Sequence, residues 1–272
     1  MSLSRGLRRG TFWCLLILTL AFLLFPLVWM ALGSFKTQVD FMAYPPRWLF
    51  RPTLANYEKV LIGGDFLKFT WNSLVIAAGS TAMSLILGVP AAYGIARHHQ
   101  TRLGVAMLAA RMAPGIAFLI PWFIVFSKLH MVDTYPAVML THMVVVLPLV
   151  IWVLVGFFED LPRELEESGL IDGCGVLGVF RRIALPLARP GIVATAILGV
   201  IASWNNFIFS LVIAGNSTRT LPVAIFNFVS YDSLNWGGLT AASSLITLPV
   251  LLMAFLVQKH IVRGLTIGAL KG

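Results

Sequence analysis

The chain has 272 residues, of which 58% are hydrophobic and only 11% charged, with a mean hydropathy of +0.88; this excludes an ordinary water-soluble domain and defines an all-α polytopic membrane protein. The net charge of +9 is then to be sorted by side of the bilayer, and nucleic acid is not an expected partner. The two cysteines, Cys14 and Cys174, fall at different levels and belong to no CxxC or Cys/His cluster, so neither a disulfide nor a metal site is expected.

In chain order, Arg5, Arg8 and Arg9 precede an apolar run from Phe12 to about Leu32. Its length suits a span of about 20 residues better than a signal-peptide core of about 7–15, although Ala31-Leu32-Gly33 has the small residues of a cleavage site. A retained first transmembrane helix is expected within residues 1–33. Residues 34–69 read as an extracytoplasmic loop, with Pro45, Pro46 and Pro52 opposing a long helix and Trp48, Phe50, Tyr57 and Phe66 suited to an interface. From 70 to 258 the chain reads as a core transmembrane domain. Its second span runs from about Asn72 to Ala96, interrupted at Pro90. A basic turn follows, and its adjacent His98 and His99 would point about 100° apart on a helix, so it reads as a solvated loop.

The third span, from about Leu103 to Phe126, contains Arg111, Pro114-Gly115 and Pro121. It reads as a kinked helix in which Arg111 either lines a wet path or snorkels to the edge. An outer turn, Lys128–Asp133, leads to a fourth span from about Tyr135 to Phe158. Its His142 serves either the path or a helix contact. Beyond lies a segment of opposite character: residues 159–191 hold Glu159, Asp160, Glu164, Glu166, Glu167 and Asp172 among the chain's eleven acidic residues. Ionised groups in hydrocarbon cost several kcal/mol each, so this segment faces water or a partner.

The segment reads as two short helices. Asp160 is expected to cap the first, with Pro162 in its first turn. Leu161, Leu165, Ser168 and Gly169 share a face ending in small residues, which admits a close approach. Asp172-Gly173 stops the helix, because glycine accepts the left-handed C-cap. The second helix sets Val176, Val179, Phe180 and Ile183 opposite Arg181 and Arg182, and Pro186 and Pro190 end it. The fifth span runs from about Ile192 to Ile213 and includes Ser203-Trp204-Asn205-Asn206, whose amides and indole must face protein or a wet cavity. An outer loop, 214–238, a sixth span from about Leu239 to Val257 and a tail, 259–272, complete the chain. Twelve Lys and Arg fall on the side of the N-terminus and seven on the other, so six spans with both termini cytoplasmic satisfy the positive-inside rule.

Three stretches carry a resemblance. Glu167-Ser168-Gly169, three residues, Gly173, nine residues and Ile183-Ala184-Leu185-Pro186 resemble the "EAA" loop of permease subunits of binding-protein-dependent ABC importers, with Ser168 and Gly169 where the family has alanines. The ending Gly-Leu-x-x-Gly-Ala-x-Lys-Gly is similar to the C-terminus of permeases of the maltose and glycerol-phosphate importer group. Trp204-Asn205-Asn206-Phe207 resembles a segment of carbohydrate-importer permeases, and Asn56-Tyr57 and Asn72-Ser73 are pairs the family often carries. The resemblance implies a type I ABC importer permease fold in the cytoplasmic (inner) membrane of a prokaryote. It implies a heterodimer with a second permease subunit, two ATPase subunits and an extracytoplasmic solute-binding protein. In that arrangement Glu167, Ser168, Gly169, Asp172 and Gly173 shape an ATPase-docking helix, and Ile183, Leu185 and Pro186 hold the loop against the membrane domain. Gly268, Lys271 and Gly272 reach the ATPase, and Trp204, Asn205 and Asn206 are candidates for the substrate path.

The chain contains no G-x-x-x-x-G-K-[ST] and no paired nucleophile and base, so no catalytic residues and no cofactor are expected in it; ATP and Mg belong to the partner ATPases. The rival reading is an ion-coupled secondary carrier. It is weakened because no predicted span contains Asp or Glu, which such carriers place at mid-membrane.

Overall fold

The computed structural model describes residues 2–63, 65–98, 100–112, 115–228 and 234–269. Its regular structure is helical: α1 (Ser2–Ser34), α2 (Ala55–Ile62), α3 (Phe66–Arg97), α4 (Thr101–Met112), α5 (Leu119–Lys128), α6 (Tyr135–Glu159), α7 (Arg163–Ile171), α8 (Val176–Leu187), α9 (Arg189–Trp204), α10 (Ile208–Ile213) and α11 (Trp236–Ala269). The chain forms two compact units, Met1–Phe66 with Ile225–Leu248, and Leu67–Ala224 with Pro249–Gly272.

Four helical stretches among the described residues are long and apolar enough to cross a bilayer: Arg8–Ser34, Phe66–Arg97, Tyr135–Glu159 and Trp236–Gln258. A fifth arises if α8 and α9, which meet at 72°, are taken together. The expected third span is divided into α4, a 3-10 turn at Gly115–Phe118 and α5; Pro114 lies outside the described residues. Pro90 does not interrupt the second span, which is one helix through Arg97. A proline removes one backbone donor, and neighbouring residues can absorb that loss in a packed span. The fifth span is shorter than expected: α9 stops at Trp204 and α10 starts at Ile208. The sixth continues without a break to Ala269, through most of the expected tail.

In the first unit, the end of α1 is closed by side chains of α2. The Asn56 amide donates to the carbonyls of Ser34 and Lys36 at 2.9 and 2.8 Å, and the Tyr57 hydroxyl lies 2.7 Å from Ser34 Oγ. Carbonyls orphaned at a helix end need such donors, which gives the Asn-Tyr pair a physical reason. Lys36 is buried, with Nζ donating to the Arg47 carbonyl and sitting 4.9 and 5.0 Å from the ring centroids of Trp29 and Phe50. Its charge is thus met by one carbonyl and two aromatic faces.

In the second unit, α3, α6 and the start of α9 pack around Val89, Ala92, Val146, Val150, Leu154, Phe158 and Ala188. Small residues allow close approach, as at Gly199 against Thr81 and Val146. At one end Asn72 donates to the carbonyls of Ser217 and Arg219, and Ser73 Oγ accepts the Leu221 N–H, so the Asn-Ser pair ties the start of α3 to the loop after α10.

The same loop is held by Asp133, in the turn between α5 and α6. Its φ of 61° is one that Asp tolerates. Its carboxylate accepts the N–H groups of Gly215 (2.8 Å), Ser217 (3.0 Å) and Thr218 (2.9 Å) and the Thr218 hydroxyl (2.8 Å). Burial alone would raise its pKa, but the donors from Ser217, Thr218 and Gly215 outweigh it and hold the carboxyl at about 2, below the ordinary 3.8. The ionised form binds the loop, so its contribution is complete above about pH 3.8 and is lost as pH falls toward 2. Protection of the Gly215–Thr218 amides, taken relative to their intrinsic exchange rates, should fall across that window, and Asp133→Asn should show lower protection already at neutral pH.

Candidate functional site: the elbow between two spans

Segment 159–191 folds as α7, a tight corner and α8. Asp160 does not cap α7; it ends α6, where its N–H donates to the Gly156 carbonyl at 3.1 Å. Pro162 occupies the N-cap position instead, because the preceding helix runs on through Glu159 and leaves no extended residue earlier. Glu164 and Glu166 stand in the first turn, favoured by the positive end of the helix dipole.

The C-terminus of α7 is a Schellman motif. The Gly173 N–H donates to the Leu170 carbonyl and the Cys174 N–H to the Gly169 carbonyl, both at 3.0 Å, with Gly173 at φ +85°. A Cβ at Gly173 would meet nothing within 4 Å, so glycine is required there by backbone conformation alone. Gly169 serves a different purpose, close approach: a Cβ there would meet Ile183 Cδ1, so the tip of that side chain would have to turn away. The helices of the elbow therefore touch along Gly169–Ile183, with Val179 beside them. Gly169, at the motif's second alanine position, and Ile183, fourteen positions further on, are one contact.

The expected small-residue face is only partly turned inward. Gly169 is buried and Leu161 half-buried, whereas Leu165 and Ser168 are exposed. The outward surface carries Leu165, Leu170, Ile171, Val176 and Leu177 next to Glu164, Glu167 and Asp172. Ile171 is 86% exposed, so this apolar edge is not covered by its own chain. Leu185 is half-buried against the core and Pro186 is exposed. Residues Phe180–Ala184 make a π-helical turn in α8. Pro190 opens α9 in its first turn rather than closing α8.

Glu166 is the acidic residue that packs inward. Its carboxylate accepts from Arg97 Nε at 2.9 Å and Arg97 Nη2 at 2.5 Å, and from the Tyr93 hydroxyl at 2.8 Å. Sequence reasoning missed this cluster by treating Arg97 as part of a solvated turn; the available signal was Tyr93 and Arg97, four apart on one helix face.

Of the path candidates, Trp204 is buried, and Asn205 is exposed with its amide donating to the Ile201 carbonyl at 2.9 Å. Asn206 Oδ1 accepts the Phe209 N–H at 3.3 Å, which caps α10. His142 is buried, with Nδ1 2.7 Å from Ser203 Oγ and Nε2 2.9 Å from Ser210 Oγ. Gly268 lies in the last turn of α11; Lys271 and Gly272 fall outside the described residues, and the side chain of Arg111 is not described.

A helical chain with several apolar spans and a charged, glycine-cornered elbow between two of them has the form of a membrane transport subunit. Residues 84–267 match the family of binding-protein-dependent transport system inner membrane components, and the chain belongs to that family, as a multi-pass inner-membrane protein. It is 37% identical over 272 residues to a probable ABC transporter permease, y4oR, of Sinorhizobium fredii, covering 98% of this chain and 96% of that one. It is 36% identical to the trehalose/maltose permease MalG of Thermococcus litoralis, covering 92% of each. Its fold is similar to a chain of a bacterial ABC transporter that imports the acidic polysaccharide alginate, with a TM-score of 0.75, 19% identity and 94% and 97% coverage. The chain is thus a transport permease, and the ion-coupled carrier reading is set aside.

Filling the contact with Gly169→Val should cost about 1–3 kcal/mol through overpacking, and Ile183→Ala in the same chain should recover part of it, as read by thermal unfolding in detergent. Gly173→Val should cost about 1–2 kcal/mol, with Gly173→Asn milder.

Proposed function

We propose that this chain is one permease subunit of an ATP-driven importer of a sugar or a related polyol or sugar phosphate. It forms a heterodimer with a second permease and is served by two ATPase subunits and an extracytoplasmic binding protein. The observation that carries the reading is the uncovered apolar edge of the elbow beside Glu164, Glu167 and Asp172. An apolar patch with charged neighbours, on a segment too polar for lipid, fits a groove on a water-soluble partner. Six spans with both termini cytoplasmic, counting α4–α5 as a broken third, put the elbow on the side where ATP is available.

In this reading Glu167, Ser168, Gly169, Asp172 and Gly173 form the docking knob. Ile183, Leu185 and Pro186 anchor it, and the tail residues Gly268, Lys271 and Gly272 add a second ATPase contact. ATP and Mg bind in the ATPase subunits, whose closure moves the docked elbow and rocks the spans between inward- and outward-facing states. Sugars are supported as the cargo class by relatives whose names specify trehalose/maltose, diacetylchitobiose and sulfoquinovosyl glycerol transport. Asn205, exposed at the break between α9 and α10, is the best placed of the path candidates; Trp204 and Asn206 shape the break around it.

Two measurements test this. A Ser168→Cys chain, with Cys14 and Cys174 replaced by serine, should react with an impermeant maleimide only from the cytoplasmic face, and co-expressed ATPase should protect it. Labelling from the outer face would overturn the topology. Purified without its ATPase, the chain should hydrolyse no ATP, whereas the assembled complex should; hydrolysis by the chain alone would overturn the division of labour.

A further inference from the structure

Three stretches meet at Tyr93, four residues from the end of α3. Its ring lies 5.4 Å from Phe158 at the end of α6 and 4.9 Å from Phe180 in the π-turn of α8. Its hydroxyl donates to Glu166 on α7, and the Arg97 guanidinium lies 5.7 Å from its ring. The Arg97 and Glu166 side chains are only 11% and 10% exposed. A carboxylate gripped by two guanidinium nitrogens and a phenol has a fixed orientation, which a single point contact would not give.

Such a buried pair is weak evidence for stability, because apolar residues of similar volume often serve as well. Its distinctive property is geometric. Two contacts of α7 lead to different helices of its unit: the Gly169–Ile183 contact leads through α8 into α9, and the Glu166 carboxylate leads directly to α3. Glu164 and Glu167, on the same helix, remain exposed and free for docking.

We propose that Tyr93, Arg97 and Glu166 are positioning residues that make α7 and α3 move as one body, so that displacement of the docked elbow is delivered to the α3 span as well as to α9. The inference rests on the docking reading above and adds a transmission route to it.

Spin labels at Leu67→Cys, at the far end of α3, and Arg163→Cys, exposed in the first turn of α7 and outside the docking knob, report the distance along this body in the complex with its ATPase, with Cys14 and Cys174 replaced by serine. In the parent, a single narrow distance should be the same without nucleotide and after trapping with ATP and vanadate. In Glu166→Gln and in Arg97→Gln, ATPase should still co-purify and hydrolyse ATP. The trapped distance should then broaden or shift by about one helical turn, roughly 5 Å. The reversed pair Arg97→Glu with Glu166→Arg should restore the narrow distance, and Tyr93→Phe, which keeps the ring, should broaden it less.

A parent distance that changes on trapping, or charge-removed variants that stay narrow and unchanged, would overturn the proposal. So would variants that lose ATPase, since the pair would then only shape the docking surface. If no ATPase co-purifies even with the parent, it is the docking reading that fails. Should the charge-removed chains fail to fold and insert, so that their ATPase binding cannot be read, an unchanged narrow distance in Tyr93→Phe together with a broad one in the reversed pair overturns the proposal, and the opposite pattern supports it.

Discussion

Hydrocarbon offers a polar group no water to turn to, so a spanning chain must answer its polar groups from within. Much of this structure follows from that constraint. His142 is bonded on both ring nitrogens to hydroxyls of two later helices, and Ser203 also accepts from Ser80 on α3. One imidazole and three serines thereby tie together α3, α6, α9 and α10. Shorter loops of the same kind return to the helix backbone, as from Thr195 to the Gly191 carbonyl and from Ser84 to the Ser80 carbonyl. Only the hydroxyls of Thr81 and Thr220 lack such a partner among the described buried side chains. Lys36 obeys the same rule at a span end, with aromatic faces in place of an anion.

The rule also explains the elbow. Most of its acidic residues face away from the spans, and the one that turns back toward them, Glu166, does so only where Arg97 and Tyr93 receive it. The corner uses glycine for two unrelated purposes, backbone handedness at Gly173 and close approach at Gly169. The familiar spacing of the loop motif is thus the distance the chain travels to bring Ile183 back over Gly169.

Four of the six expected spans, the elbow and the glycine stop were legible in the sequence because hydropathy, charge and a left-handed C-cap are local properties. Asn56 and Asn72 were visible as pairs, but their function was not, since their acceptors lie 20 or more positions away. Asp160 misled because a good capping residue also ends helices, and the preceding span claimed it. Asn205 and Asn206 stood out as polar positions in the fifth span but not as a break, because hydropathy registers what a stretch is made of and not where its helix stops. Glu166 was hidden by its neighbour Glu167: composition cannot tell which of two adjacent carboxylates faces in. That depends on the angular phase of a nine-residue helix, which tertiary contact sets.

The junction of α8 and α9 carries one more implication. The two helices turn through 72° with only Ala188 between them, buried and helical in backbone. Adding or removing one residue there would rotate everything downstream by about 100°, sending Thr195 and Ser203 out toward lipid. Chain length between Gly173 and Trp204 is consequently fixed by geometry, and insertions and deletions accumulated by descendants of this gene should be missing from it.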